Sequence, residues 1–176
     1  MSADAATTAD ITDLILLEHE EFRRRFASLW VMRGEDNFAA RAVAWRMLVN
    51  LLEVHASAEE EILYPALLKR GGDHAQAETA DAIGDHNQIR GAIKTAGRVS
   101  SGTDFWWAAV LACRQANDEH LAEEERDVIP DIREHVDAAL RLELGGRWQE
   151  FHTVHQAARG ISIEDVDPTA FVAENS

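Results

Sequence analysis

Large apolar residues recur at intervals of three and four along most of the chain. The first series is Leu14, Leu17, Phe22, Phe26 and Leu29. That spacing lines one face of an α-helix. Asp10 ahead of the series suits an N-cap, and Gly34 behind it suits a helix end. The pattern predicts a first helix from Asp10 to Gly34. A second runs from near Asp36 to the Gly71-Gly72 pair, with Val43, Met47, Leu51, Leu52, Ile62 and Leu63 as apolar positions. A third lies between about Asp73 and Gly97. A fourth follows the start signal Ser101-Gly102-Thr103-Asp104 and continues towards Pro130. Shorter helices are expected from Asp131 to Leu144, ending at Gly145-Gly146, and from Arg147 to Arg159, ending at Gly160. The acidic tail from Ile161 to Ser176 contains Pro168 and reads as a loosely held terminus.

No strand-like alternation competes with these helices. Four long helices joined by short Gly-containing turns predict an all-α fold, an up-down-up-down four-helix bundle with a short C-terminal helical extension. The bundle would occupy residues 1–144, and the extension and acidic tail residues 145–176. An irregular helical array is the alternative within the same class.

The histidines carry a hidden repeat. His55 is followed by Glu59 and Pro65, and His120 by Glu124 and Pro130, at identical spacing. His19 precedes His55 by 36 residues, and His86 precedes His120 by 34. Their surroundings also match: Glu18-His19-Glu-Glu-Phe22-Arg23 against Asp85-His86-Asn-Gln-Ile89-Arg90. The chain therefore reads as two similar helical hairpins. Each carries a lone His on its first helix and a His-x-x-x-Glu on its second.

On a helix, positions i and i+4 lie about 40° apart and roughly 6 Å along the axis. His55 and Glu59 thus share a face, as do His120 and Glu124. Those faces are otherwise apolar: Leu48, Leu51 and Leu52 precede His55, and Cys113 and Ala116 precede His120. Leu16 and Phe22 flank His19, and Ile83 and Ile89 flank His86. All four histidines are expected to point into the core. Burying four imidazoles and two carboxylates is costly unless they are paired or bound to metal. A metal pair resolves this, with nitrogen ligands from the histidines and bridging glutamates. The mixed set favours iron and also tolerates zinc or manganese. The glutamates at plus four are the only acids common to both repeats that share the histidine face. Glu60 and Glu125, at plus five, fall about 140° away.

Composition narrows the partners. The 176 residues carry 17 Lys plus Arg against 32 Asp plus Glu, a net charge of −15. Neutralising phosphates needs a basic face, so no nucleic acid and no anionic membrane surface is expected. The single cysteine, Cys113, excludes an internal disulfide and a thiolate zinc cluster. Met1 to Asp10 lacks the basic start of a secretory signal. A cytoplasmic setting is expected.

With these residues in view, the chain resembles the hemerythrin-like proteins of the histidine-histidine-glutamate cation-binding family, over about residues 10–135. Glu-Glu-Ile-Leu-Tyr-Pro at 60–65 and Glu-Arg-Asp-Val-Ile-Pro at 125–130 resemble the family's segments after the glutamates. The resemblance implies two iron ions in an oxo- or hydroxo-bridged centre held by His19, His55, Glu59, His86, His120 and Glu124. The oxygen-carrying members have a fifth histidine where this chain has Ala82, and an aspartate where Glu124 stands. These departures favour the bacterial branch, with suggested roles in peroxide decomposition, oxygen or nitric-oxide sensing, and iron handling. The small ligand is then O2, H2O2 or NO. Catalase-like peroxide decomposition is the favoured activity. A non-catalytic sensor or carrier and an iron store or structural metal bundle are the alternatives.

Around the six, Tyr64 precedes Pro65, which disfavours α geometry there and would free the phenol to face the site. Cys113 reads first as a small core residue, or else as an oxidation-sensitive thiol beside a peroxide site. Asn117 is placed to hydrogen-bond a ligand or a glutamate. His152 and His155 are expected at the surface, His74 in a solvated turn, and the five tryptophans as packing anchors. His135 is given no role.

Overall fold

Side-chain caps start three of the four long helices close to where the sequence punctuation places them. The computed structural model describes residues 9–176 and shows no strand among them. The reading of the N-terminus as lacking a secretory signal concerns residues 1–10, of which 1–8 lie outside the described residues. Helix α1 spans Ile11–Val31, and the Asp10 side chain accepts from Thr12 N. Helix α2 spans Phe38–Ala58 behind Asn37, which accepts from Ala40 N. Helix α4 spans Ala75–Ala96 and α5 spans Asp104–Glu123, the latter capped by Thr103.

Neither Pro65 nor Pro130 ends its helix. After α2 comes a π turn at Glu59–Leu63, then α3 at Tyr64–Arg70. After α5 comes a π turn at Glu124–Val128, then α6 at Ile129–His135. A proline lacks an N–H, and its ring crowds the carbonyl four residues earlier. Widening the preceding turn relieves both problems. Tyr64 N–H bonds Glu59 O, and Ile129 N–H bonds Glu124 O, each five residues back. Tyr64 therefore keeps helical angles, φ −65° and ψ −36°, against the expectation of non-α geometry.

The C-terminal third departs further from the pattern. The break falls at Val136-Asp137, and α7 runs unbroken over Ala138–Val154 through the Gly145-Gly146 pair. Gly145 is not a helix end: a Cβ there would collide with the Ala9 carbonyl. The chain turns after Val154 through Ala157 and Ala158, both at φ 56°, and Gly160 at φ 77°. The tail is not loosely held. Helix α8, Pro168–Asn175, is capped by Asp167, and Phe171 packs on the core. Asn87 exchanges two hydrogen bonds with the backbone of Val166, at 2.7 and 2.9 Å.

Two apolar clusters fill the interior. One holds Ile15, Ala58, Ile83, Val128 and Trp148, and the other Phe22, Leu52, Ile89, Trp106 and Cys113. On α1, His19 lies between Ile15 of the first cluster and Phe22 of the second. On α4, His86 lies between Ile83 and Ile89. The polar layer is therefore sandwiched between two dry ones. Leu17, Val43 and Met47, read as core positions, are exposed at 66%, 54% and 54%.

Candidate metal centre

Each of the four long helices sends one histidine inward. His19, His55, His86 and His120 are all at most 3% exposed, and so are Glu59 and Glu124. The glutamates open the two π turns, so the proline-driven widening begins at the residue that completes the site. His55 Nε2 lies 2.9 Å from Glu59 Oε1, and His86 Nε2 lies 3.2 Å from Glu59 Oε2. One carboxylate thus spans imidazoles of two helices. His19 Nε2 lies 3.1 Å from Glu124 Oε2, and His86 Nε2 lies 3.3 Å from His120 Nε2.

These close approaches leave hydrogen bonding incomplete. Among the described residues, His19 Nε2, His55 Nε2, both Glu59 oxygens and Glu124 Oε2 are buried without a hydrogen-bond partner of acceptable geometry. A buried carboxylate without compensation costs several kcal/mol. Such lone pairs converging on one point fit a cation. His19, His55, Glu59 and Glu124 form one group able to hold a metal ion, and Glu59, His86 and His120 form another.

A family model for the hemerythrin HHE cation-binding domain matches residues 10–132. The chain belongs to that family. No curated protein and no solved structure matches it.

This hemerythrin-family chain places a carboxylate behind every site imidazole. His19 Nδ1 donates to Glu125 at 2.9 Å, His55 Nδ1 to Glu18 at 2.9 Å, and His86 Nδ1 to Glu60 at 2.8 Å. His120 Nδ1 lies 3.7 Å from Asp85. Such bonds fix the ring's orientation, leave Nε2 free for a metal and raise its basicity. Two arginines complete the shell: Arg23 bonds Glu125 at 2.8 Å, and Arg90 bonds Glu60 at 2.9 Å. The arrangement obeys the sequence repeat. Glu18 and Asp85 each serve the second histidine of their own hairpin, while Glu60 and Glu125 cross to the other hairpin.

The charges follow. Burial opposes ionisation of Glu59, yet the His55 and His86 rings hold it well below the usual carboxylate range. Burial works against protonating His86, but the Glu59 carboxylate beside it and its bond to Glu60 raise it to about 9. Burial also opposes ionisation of Glu18, while hydrogen bonds from His152 and His55 hold it down at about 2.

The other candidates fall into place. The Tyr64 hydroxyl donates to Glu124 Oε1 at 3.3 Å, and burial, then Glu124, pushes its pKa well above 10. Asn117 is 1% exposed with Nδ2 unpartnered, in a lining it shares with His55, His86 and His120. Cys113 is fully buried in the apolar cluster, and burial, then Glu53, pushes its thiol up to about 12. That is the core reading rather than the reactive one. His152 is half-buried rather than freely solvated: its Nε2 meets Glu18 Oε1 at 3.0 Å. Trp148 is more than a packing anchor, since its indole N–H donates to Glu18 at 3.0 Å and its ring meets His55 edge-on. Helix α7, outside the matched region, thus clamps a carboxylate of the site.

Proposed function

We propose that this chain is a hemerythrin-like di-iron protein that binds and reacts with small molecules derived from dioxygen, with peroxide decomposition as its activity. The metal ligands would be His19, His55, Glu59, His86, His120 and Glu124, set within an up-down-up-down bundle. The observation that carries the reading is Glu59, whose two oxygens face imidazoles of different helices in a buried layer with unpartnered lone pairs.

A bound iron pair supplies redox capacity and Lewis acidity, which turning two H2O2 into O2 and two H2O requires. The chain's own residues prepare the place. Glu18, Glu60, Asp85 and Glu125 orient the rings. Tyr64 keeps its proton and offers a hydrogen bond at the Glu124 side. Asn117 offers an unused N–H beside three site histidines. The apolar layers on either side keep bulk water away.

Iron-replete protein is expected to hold close to two irons per chain by mass spectrometry, and Glu59→Ala to lose iron and visible absorbance. Oxygen release from added peroxide should continue for many turnovers per chain. A single stoichiometric event would favour the second reading, a sensor. The grip of α7 on Glu18 supports that reading, because it ties the site to the C-terminal helices.

A further inference from the structure

The twofold repeat of the site is broken in one respect. Glu18 and Asp85 are equivalent, but only Glu18 is roofed over, by Trp148 and His152 of α7. Behind Asp85 there is instead a cavity of about 150 Å³. Its inner wall includes His120 and Glu124, and its outer wall Glu78, Asp81, Asp85, Glu123 and Asp127. The one cation among its lining residues, Arg126, is turned to Asp127 at 2.6 Å. The inner end is not a mere acidic surface: Glu124 is 1% exposed, and its Oε2 has no hydrogen-bond partner among the described residues. On the Asn117 side, the cavity touching the histidines is only about 10 Å³, room for about one water.

We propose that this acidic cavity is the entry route and transient binding site through which a divalent cation reaches the buried centre. The inference rests on the metal reading above and extends it to how the site is filled. A wall of carboxylates ending at an imidazole and a buried carboxylate with one unpartnered oxygen concentrates cations and hands them inward. The same field repels small anions and is indifferent to neutral peroxide or dioxygen. A hydrated cation could exchange its waters stepwise for the outer carboxylates before meeting His120 and Glu124.

The test is the rate of filling of metal-free protein by cobalt(II), followed by stopped-flow absorbance. Asp81 is exposed and forms no ion pair among the described residues, so Asp81→Asn, Asp81→Lys and the pair Glu78→Gln/Asp81→Asn should fold. In low salt each should fill more slowly, by about threefold to tenfold with Asp81→Lys slowest, because electrostatic steering of this kind acts on rates. Final cobalt per chain should stay at the wild-type value, and the variants should respond less to added salt. Neutralising Glu143 and Glu150, exposed acids of α7, should leave the rate unchanged. Equal filling rates for wild type and Asp81→Lys would overturn the route while leaving the metal site standing. An equal slowing by the α7 control would also overturn it, by showing that net charge alone acts. Wild-type protein that takes up no cobalt at all would overturn the metal reading and the route together.

Discussion

Glu60 reaches from the π turn after α2 across to α4 and accepts the His86 Nδ1 proton at 2.8 Å, while Arg90 holds the same carboxylate at 2.9 Å. Glu125 does the same for His19, with Arg23 in the part of Arg90. These acids sit one residue past the glutamates that face the centre. Removing the charge behind a metal-binding imidazole weakens binding by about 10- to 100-fold. Glu60→Gln and Glu125→Gln should each weaken iron or cobalt binding by about that factor, measured by competition with a chelator. Glu61→Gln, at an exposed position between the two π-turn residues Glu60 and Ile62, should change affinity less than twofold. Equal losses at 60 and 61 would mean that general negative charge, not the imidazole bond, sets the affinity.

The six-residue constellation was legible because a repeated His-x-x-x-Glu with matched lone histidines imposes one shared face. The shell behind it was written in the same repeat and was passed over. An acid before each lone histidine, an arginine four residues after it, and a glutamate at plus five recur in both halves. Asking only which acids share a face with their own histidine discards Glu60 and Glu125, because each serves a histidine on another helix. The helix breaks were misjudged for a related reason. Gly145 is small because Ala9 approaches it, and a contact between residues so distant in sequence leaves no local periodicity. Pro130 looked like a stop, and Pro65 was passed through with no break expected, because a π turn upstream of a proline has no residue-level signature of its own.

Glu18 links helix α7 to the centre and gives that link an acid sensitivity. Its pKa lies near 2 in the folded protein, against an ordinary value of 4.5. A depressed carboxylate contributes stability that is complete above the unfolded value and is lost as pH falls towards the folded one. The stability difference between wild type and Glu18→Gln should therefore be constant above about pH 5 and narrow steadily below it. His152→Ala removes one of the bonds that depress Glu18, so the wild-type advantage over that variant should shrink across the same interval. Urea unfolding of metal-free protein at a series of pH values measures both. A difference independent of pH would show that Glu18 contributes through packing alone.

Cys113 should be chemically silent in the folded state. Its thiol is fully buried and pushed up to about 12, so at pH 8 almost none is thiolate. Thiolate, not thiol, reacts with alkylating agents and with peroxide. Iodoacetamide at pH 8 should leave folded protein unmodified for hours and modify it fully in denaturant, read as one adduct by mass spectrometry. Added peroxide should likewise leave the thiol titre of the folded chain unchanged. Rapid labelling without denaturant would mean that α5 opens locally around Trp106 and Val110, its neighbours in the apolar cluster.

The two kinds of helical glycine in this chain should respond oppositely to alanine. Gly91, inside α4, has open space where a Cβ would go. Alanine there removes the entropy cost of a helical glycine, so Gly91→Ala should raise stability by about 0.5–1 kcal/mol. Gly145, inside α7, would drive its Cβ into the Ala9 carbonyl and against Ile11 N. That contact is backbone on one side and a packed helix on the other, so neither can yield cheaply. Overpacking of this kind costs about 1–3 kcal/mol, which should outweigh the helix-propensity gain and make Gly145→Ala destabilising. Its effect should also reach the centre. Displacing α7 loosens Trp148 and His152 from Glu18, so metal affinity should fall with stability, whereas Gly91→Ala should leave affinity unchanged. Urea midpoints and chelator competition on the same preparations test both halves. A Gly145→Ala protein as stable as wild type would mean that the chain entering α1 at Ala9 moves aside freely, and that α7 is not pinned there.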